Sequence, residues 1–349
     1  MGLSVHAYRD ADGFDALVEV WNDVLHRSFA DTLFLTLQFQ RTWWRVLGEG
    51  ELLLLALCEE ESGRVVGIAP LFATENAQGE RVLSIVGCEE VADYLDLIVA
   101  EGWEEQVYGA LVEYLAGSDG PAWDLLDLCN VHQDSPTLQM LPALAEARGW
   151  AVSTGLDDVC PIVRLPETWE EYLERLDGKQ RREIRRKLRH VSPDVNWYIV
   201  GSEHDLETEV EDLLALMAAS TPDKAEFLTP RMREFFCQLA RATYEAGWLQ
   251  LMVLRVGEQK AAAYFNFVYD NRVWVYNSGL DWQSFPRLSA GVILTAYAIR
   301  HAIEQGREAF DFMQGDERYK YQFGGQDVEV RRLSIRHTQK PGSKDPRSL

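Results

Sequence analysis

The side chains best suited to acid–base chemistry lie together in one C-terminal segment, DFMQGDERYKYQFG. Asp311 ends an apolar stretch and Asp316 follows in the next turn, so either carboxylate is a candidate general base. Tyr319 is a candidate general acid, because a phenol keeps its proton at neutral pH. Glu317 and Lys320 offer opposite charges to a polar ligand. The alternative is structural: Asp316 caps a short helix and forms a surface pair with Lys320.

A second group of residues predicts an anion-binding turn at 284–291. Arg287 adds a positive charge there, and Ser289 or Ala290 begins a helix that contains Gly291 in its first turn. The N-terminus of a helix presents unpaired N–H groups and a partial positive charge, both of which favour a phosphate. The alternative is an ordinary helix start without a ligand, because small residues are common at that place.

One basic segment interrupts a strongly acidic protein. The formal charge is -22 at pH 7, which opposes nucleic-acid binding over most of the surface. From Lys179 to Arg189, seven Lys or Arg residues stand against one acid, Glu183, so this segment carries +6 and the remainder carries -28. Three interpretations stay open: the segment binds phosphate groups of a ligand, it contacts tRNA, or it pairs with the acidic body of the same protein.

The composition predicts a globular protein of two domains. The 349 residues exceed one ordinary domain, and 47% of them are apolar, which is ample for packed cores. We see neither a run of about 18 apolar residues nor a signal-peptide pattern, so we expect a cytoplasmic protein without membrane insertion.

The cysteine pattern indicates neither a disulfide framework nor a metal site. The five cysteines are scattered and none forms a C-x-x-C pair. We therefore expect no metal, and we expect all five to be reduced core residues, since free cysteine is usually buried. They are Cys58, Cys88, Cys129, Cys160 and Cys237.

The elements that position these residues follow one order twice along the chain. Each half has a strand, two helices, an antiparallel meander, and then helix, strand, helix and strand. This repetition predicts an α/β protein with two copies of a mixed, mostly antiparallel sheet flanked by helices. We expect an N-terminal domain at 1–160, a helical connector with the basic helix at 161–192, a C-terminal domain at 193–337, and a disordered tail at 338–349.

Several of these segments resemble a known superfamily. The run D-F-x-x-G-D-E-x-Y-K at 311–320 is specific, and LPETWEEYLERL followed by R-R-E-I-R-R-K-L-R supports it, as does the strand WDLLDL followed by Asp134-Ser135-Pro136. Together they resemble the GNAT acyltransferases of the CelD/BcsL-like group, the cellulose-biosynthesis-type acetyltransferases. That group is itself similar to the FemAB-type aminoacyl transferases. The resemblance covers most of residues 50–336.

The resemblance implies tandem GNAT-like domains with an acyl-donor site in the C-terminal one. Acyl-CoA is then the co-substrate, and its pantetheine arm lies between strands 272–278 and 308–313. Backbone amides near Val275 and Tyr276 pair with the arm and polarise the thioester carbonyl. The turn at 284–291 holds the pyrophosphate, although the usual GNAT glycine stands one place later here.

The resemblance also implies a reaction and an acceptor site. We expect an N-acyltransferase that moves an acyl group directly to the amine of a small molecule or amino sugar, in polysaccharide biosynthesis. Asp93, Tyr94 and Asp96 are expected to bind this acceptor together with Glu317 and Lys320. One alternative is a FemAB-like transferase in cell-wall or exopolysaccharide synthesis that uses aminoacyl-tRNA. The other is a non-catalytic GNAT-like binding or scaffold protein, which the shifted glycine favours.

Overall fold

A computed structural model describes residues 2–88 and 91–337 of the chain. The predicted disordered tail, 338–349, lies outside the described residues. The α/β class with a mixed sheet flanked by helices is confirmed. Among the described residues, no helix is both long and apolar enough to cross a bilayer.

The chain divides into two compact units, and each is assembled from separate stretches. The described part of the first unit comprises residues 2–44, 48–88, 91–157 and 329–337. The second unit comprises residues 45–47 and 158–328. Neither unit is therefore one continuous piece of chain.

The first unit contains a mixed sheet. Its elements before the unit boundary are β1 (Leu3–Tyr8), α1 (Asp12–Ala16), α2 (Trp21–Leu25), a 3-10 turn (Leu33–Leu35), α3 (Leu37–Leu47), β2 (Glu51–Glu59), β3 (Val65–Glu75), β4 (Arg81–Ile85), β5 (Ile98–Val99), α4 (Glu104–Ala116), β6 (Leu125–His132) and α5 (Pro136–Ala147). Strand β7 (Ala151–Arg164) follows and has residues in both units.

The last strand of the chain, β13 (Gln326–Arg336), completes the sheet of the first unit. It pairs antiparallel with β6, from Val330 opposite His132 to Arg336 opposite Leu125. The strand order in this unit is β1-β2-β3-β4-β6-β13. The sequence-based range 193–337 differs from this division, because the hydrogen bonds of β13 from residue 329 onward lie with the first unit.

The expectation of fully reduced cysteines is wrong for one pair. Cys88 and Cys129 form a disulfide whose Cα atoms are 6.0 Å apart. Strands β4 and β6 are parallel neighbours, with Val82 opposite Leu125, so the two cysteines lie a few residues beyond a shared register. This proximity depends on a pairing between strands distant in sequence, which cysteine spacing alone does not reveal. Cys58 and Cys160 are buried thiols.

The second unit carries the C-terminal segments singled out above. Its elements after β7 are α6 (Trp169–Arg175), α7 (Gly178–Arg189), β8 (Val195–Ile199), α8 (Leu206–Ser220), α9 (Pro222–Phe227), α10 (Pro230–Glu245), β9 (Leu249–Val256), β10 (Gln259–Tyr269), β11 (Arg272–Leu280), α11 (Ala290–Glu304), β12 (Ala309–Asp311) and α12 (Arg318–Gln322). Its strand order is β7-β12-β11-β10-β9-β8, in which only β12 and β11 run parallel.

Local sequence signals explain several boundaries in this unit. The hydroxyl of Thr229 accepts a hydrogen bond from the amide of Met232 and caps α10, as predicted from its place before a proline. The β10–β11 turn has positive φ at Asp270 and Asn271, residues that tolerate this conformation. Gly279 is required on β11, because a Cβ there would meet the backbone amide of Met217 on α8 at 2.6 Å.

Candidate functional site

Strands β11 and β12 of the second unit separate after a short paired stretch. Their pairing consists of Arg272 opposite Ala309, Val273 opposite Phe310, and Trp274 opposite Asp311. Strand β11 continues to Leu280, whereas β12 ends at Asp311. Beyond Trp274, the register of the described residues pairs β11 with no further residue of β12.

The chain after β12 follows β7 and leaves β11. The amide of Phe312 donates to the carbonyl of Pro161 at 3.0 Å, and the amide of Gly315 donates to the carbonyl of Val159 at 3.0 Å. Because the backbone after β12 keeps its hydrogen bonds to β7, it can turn away from β11 without losing its pairing with β7. The opening between β11 and β12 is thus built into the sheet.

A β-bulge marks the start of this opening. Phe265 on β10 lies opposite Asn277 and Asn266 lies opposite Val275, so Tyr276 is an extra residue on β11. Bulges bend a strand and are frequent beside active sites. The ring of Tyr276 packs against Phe267 with centroids 5.3 Å apart. Val275 and Tyr276, the predicted donor-binding pair, thus lie where the strands part.

Helix α11 begins beside the end of β11, at the turn predicted to bind an anion. Ser289 precedes the helix with φ 54°, and its side chain makes no capping hydrogen bond to the helix. Its hydroxyl instead accepts a hydrogen bond from the Lys187 ammonium at 2.6 Å. Ala290 and Gly291 form the first helical positions, and Arg287 is exposed. The helix N-terminus therefore keeps the polarity that favours an anionic ligand.

The segment after β12 forms a tight turn around Asp311. This carboxylate is fully buried and accepts a hydrogen bond from the amide of Met313 at 2.8 Å. Met313 and Gly315 both have positive φ, at 63° and 107°. Asp311, a predicted general base, thus shapes the backbone of the turn. Asp316, the other predicted base, is exposed on it.

Lys320 holds the same turn from α12. Its ammonium donates to the carbonyls of Met313, Gln314 and Gly315 at 3.0, 2.5 and 3.0 Å. It also pairs with Glu317 at 2.8 Å, while the Lys320 side chain itself is only 3% exposed. The ammonium therefore stabilises the turn and forms an ion pair with Glu317, where the sequence suggested a pair with Asp316.

Tyr319 lies next to this turn. Its ring meets Phe312 edge-on with centroids 5.7 Å apart, and 37% of the residue is exposed. Loss of water around the phenol raises its pKa, and the nearby Tyr264 and Glu317 add to the rise. The Tyr264 hydroxyl in turn bonds the Thr295 hydroxyl of α11 at 2.6 Å. Tyr319 therefore holds its proton at neutral pH, as a general acid must.

Lys224 on α9 was missed by the sequence analysis. Its ammonium donates to the Asn277 side-chain oxygen at 3.1 Å and to the Ser278 carbonyl at 2.5 Å, on the open stretch of β11. Burial lowers its pKa to about 8, and the carboxylate of Glu317 opposes this fall. The surrounding TPDKAEF reads as the first turn of a solvated helix, so only the tertiary fold identifies this lysine.

The basic helix α7 lines a cavity of about 550 Å³ in the second unit. Helix α11 contributes Val292 to this cavity, α12 contributes Arg318 and Gln322, and Phe323 follows α12. Arg186 pairs with Glu183 on the same helix at 2.8 Å. The cavity therefore joins the basic segment to the two helices that follow the separating strands.

The predicted acceptor residues of the first unit lie at 93–96. Asp96 is buried and accepts hydrogen bonds from the hydroxyls of Ser135 and Thr137. Burial raises the pKa of this carboxyl to about 6. Tyr94 is also buried, and Asp93 is half-buried. Within the first unit, the Asp96 carboxylate thus takes part in a buried hydrogen-bond cluster. Glu317 and Lys320, the other two predicted acceptor contacts, belong to the second unit.

The comparison with protein families matches residues 178–321 to the acetyltransferase (GNAT) domain. Residues 178–321 of the second unit are thus similar to a GNAT domain. The matched range begins with α7 and contains β11, β12 and α11, the elements predicted to hold the acyl donor. The resemblance to GNAT acetyltransferases stated from the sequence is confirmed at this level.

Solved structures extend the likeness beyond the GNAT domain. FemX has a TM-score of 0.66 at 12% identity over 95% of this chain and 97% of its own. L-PGS from Bacillus licheniformis has a TM-score of 0.56 at 13% identity, covering 93% of each chain. A tandem GNAT protein from the clavulanic acid biosynthesis pathway has a TM-score of 0.52 at 12% identity, over 97% of this chain and 100% of its own.

These likenesses confirm the tandem GNAT-like fold. Because the sequence identities are so low, they show the fold alone. The comparison of the sequence with curated proteins gives no match.

Proposed function

We propose that the protein is an N-acyltransferase that moves an acyl group from acyl-CoA to the amine of a small molecule or amino sugar. The observation that carries this proposal is the separation of β11 from β12 after Trp274, next to the N-terminus of α11. An open strand edge offers backbone donors and acceptors to an extended amide-containing chain such as pantetheine. The adjacent helix start suits the pyrophosphate of the same donor.

The donor is placed by backbone groups more than by side chains. We assign polarisation of the thioester carbonyl to the amides near Val275 and Tyr276, at the bulge. The first turn of α11 and Arg287 hold the pyrophosphate. The late Gly291 is compatible with this role, since it lies within the first turn and even an added Cβ would meet Leu280 only at 3.5 Å.

The transfer itself needs one proton acceptor and one proton donor. The acceptor amine attacks the thioester carbon, the C–N bond forms, and collapse of the tetrahedral intermediate breaks the C–S bond. Lys224 in its neutral form takes the proton that the amine loses, because its pKa lies near neutrality. Tyr319 protonates the departing thiolate. Asp316 is the sequence-based alternative to Lys224, whereas the carboxylate of Asp311 is already used within its turn.

Fewer observations support the acceptor-binding residues and the assignment to a particular group of GNAT acyltransferases. Glu317 is 59% exposed, so its carboxylate can meet an acceptor ammonium while it pairs with Lys320. Asp93 and Tyr94 stay predicted acceptor contacts. The run D-F-x-x-G-D-E-x-Y-K supports the CelD/BcsL-like group, and with it an amino-sugar acceptor in cytoplasmic polysaccharide biosynthesis.

A second candidate is a FemAB-like transferase that takes its acyl group from aminoacyl-tRNA. The cationic helix α7 favours it, since a basic surface beside the donor opening suits an RNA backbone. Binding would then weaken steeply with salt, as counterion release requires.

Calorimetry with acetyl-CoA, longer acyl-CoAs and bulk tRNA separates these candidates. We expect thioester binding and little affinity for tRNA. The leading proposal is rejected if no thioester binds, whether tRNA binds tightly or also fails to bind. Release of the CoA thiol is then followed with a panel of amino sugars and amino acids.

Two variants test the assigned proton transfers. Lys224→Met removes the proposed base, and Asp316→Asn removes its alternative. We expect turnover to fall by about two orders of magnitude in Lys224→Met, in the range of general-base catalysis. Thioester binding without turnover by any amine, in the parent protein as in both variants, would instead favour the non-catalytic alternative.

A further inference from the structure

The cavity at helix α7 concentrates positive charge that the rest of the protein leaves uncompensated. Five cations and a single carboxylate line it: Lys179, Arg182, Arg186, Lys187 and Arg318, with Glu183. Glu183 is drawn towards Arg186 and Lys187, at 2.8 and 3.4 Å, and these cations lower its pKa to about 2. The cavity therefore keeps a net positive charge in a chain of formal charge -22.

Pairing with the acidic body does not account for these cations. In the described residues, the ion pairs of α7 all involve Glu183 of the same helix. Lys179, Arg182 and Arg318 form no ion pair with residues 2–88 or 91–337. Neighbouring cations repel one another, and a bound anion relieves this repulsion. The lining therefore offers its positive charge to an anion from outside the chain.

The position of the cavity connects it to the donor opening. Helix α11 follows β11 and helix α12 follows β12, and they line the cavity through Val292 and Gln322. Lys187 fixes α7 to this place by its hydrogen bond to Ser289, the residue before α11. The cavity therefore borders the first turn of α11, the turn proposed to hold the pyrophosphate of the donor.

We infer that this cavity binds the 3′-phosphorylated adenosine end of the acyl donor, so that α7 supplies a phosphate site separate from the α11 N-terminus. The inference rests on the proposed function and names the part of the donor that is recognised. The cavity volume of about 550 Å³ lies within the range of small-ligand sites. Ile184, Val292 and Phe323 provide apolar wall for a base, and the cations bind the phosphates.

A small nucleotide fits this lining better than an RNA chain. The five cations line one cavity of small-ligand size, whereas a polynucleotide needs a groove of charges that follows its backbone. The remaining cations of α7, among them Arg185, lie outside the cavity lining. Arg182 and Arg185 are both exposed on the same helix and so form a matched pair for a test.

The test compares Arg182→Glu with Arg185→Glu by calorimetry. The probes are 3′,5′-ADP, acetyl-CoA and its form without the 3′-phosphate. Both variants change the net charge equally, so only a local contact separates them. We expect Arg182→Glu to weaken binding of 3′,5′-ADP and acetyl-CoA about tenfold or more, the effect of one lost charge-assisted contact, and Arg185→Glu to change it less than about threefold. The unmodified protein should prefer acetyl-CoA over its 3′-dephosphorylated form about tenfold.

The outcomes separate this inference from the proposed function. If acetyl-CoA binds and Arg182→Glu leaves its affinity unchanged, the cavity assignment is overturned while the transferase proposal stands. If 3′,5′-ADP binds through Arg182 but no thioester binds, the phosphate site stands and the transferase proposal falls. Equal losses in both variants, or tRNA binding that both abolish, overturn the inference in favour of a general electrostatic or RNA surface. Thermal unfolding of both variants confirms that they fold.

Discussion

Replacing Lys320 by methionine should destabilise the second unit by about 3 kcal/mol. The substitution keeps an apolar stem and removes the ammonium, which leaves the carbonyls of Met313, Gln314 and Gly315 without this donor. Each uncompensated buried carbonyl costs about 1 kcal/mol. The lost pair with Glu317 adds little, because that carboxylate is 59% exposed and well solvated.

Hydrogen exchange measures this effect at the turn itself. Peptides covering 306–325 should exchange roughly a hundredfold faster in Lys320→Met, since each 1.4 kcal/mol corresponds to a factor of about ten. Urea unfolding at pH 7 should show the same loss in the transition of the second unit. Arg318→Met is the matched control, because this exposed cation forms no ion pair with the described residues. It should change stability by less than about 0.5 kcal/mol.

The reasoning fails if Lys320→Met and Arg318→Met exchange and unfold alike. A variant of Lys320 that keeps full stability but loses acceptor affinity would restore this lysine to the acceptor-binding role expected from the sequence. Lys320→Arg offers a further check, since a guanidinium keeps the charge but cannot place one nitrogen among three carbonyls.

Two further measurements address the other unit and the donor turn. The folded pKa of Asp96, about 6, lies above its usual value of 3.8, so its contribution is stabilising below about pH 4 and is lost as pH rises through 6. Between pH 4 and 7.5 the parent protein should lose up to about 3 kcal/mol more stability than Asp96→Asn in chemical denaturation. Parallel pH profiles of the two proteins would contradict this. Arg287→Glu should weaken acetyl-CoA binding by about 1 to 3 kcal/mol, whereas Arg300→Glu near the other end of α11 should not; equal affinities would mean that Arg287 does not contact the phosphates.

Signals carried by neighbouring residues were predictable from the sequence. Thr229 before Pro230 caps α10, and Thr168 caps α6 through the amide of Glu171. Asp270 and Asn271 form the β10–β11 turn. These features depend on a few consecutive residues, so one sequence contains the information that specifies them.

Features that depend on distant parts of the chain were not predictable in the same way. Lys224 acquires its lowered pKa from burial against β11, more than fifty residues later in the chain. Cys88 and Cys129 meet because β4 pairs with β6. The role of Lys320 depends on how the backbone turns after β12, where positive φ at Met313 brings carbonyls together. Residue type indicated a functional role only for Lys320, and in all three cases the tertiary structure determined what the side chain does.

The antiparallel pairing of β6 with β13 sets an order on biosynthesis. The ribosome releases β6 long before β13, which covers one edge of β6. Until β13 emerges, the first unit must hold an exposed strand edge, the feature that most readily recruits a wrong partner. The second unit, whose stretch ends at residue 328, reaches its full complement of chain sooner. The part of the protein made first is therefore the part finished last.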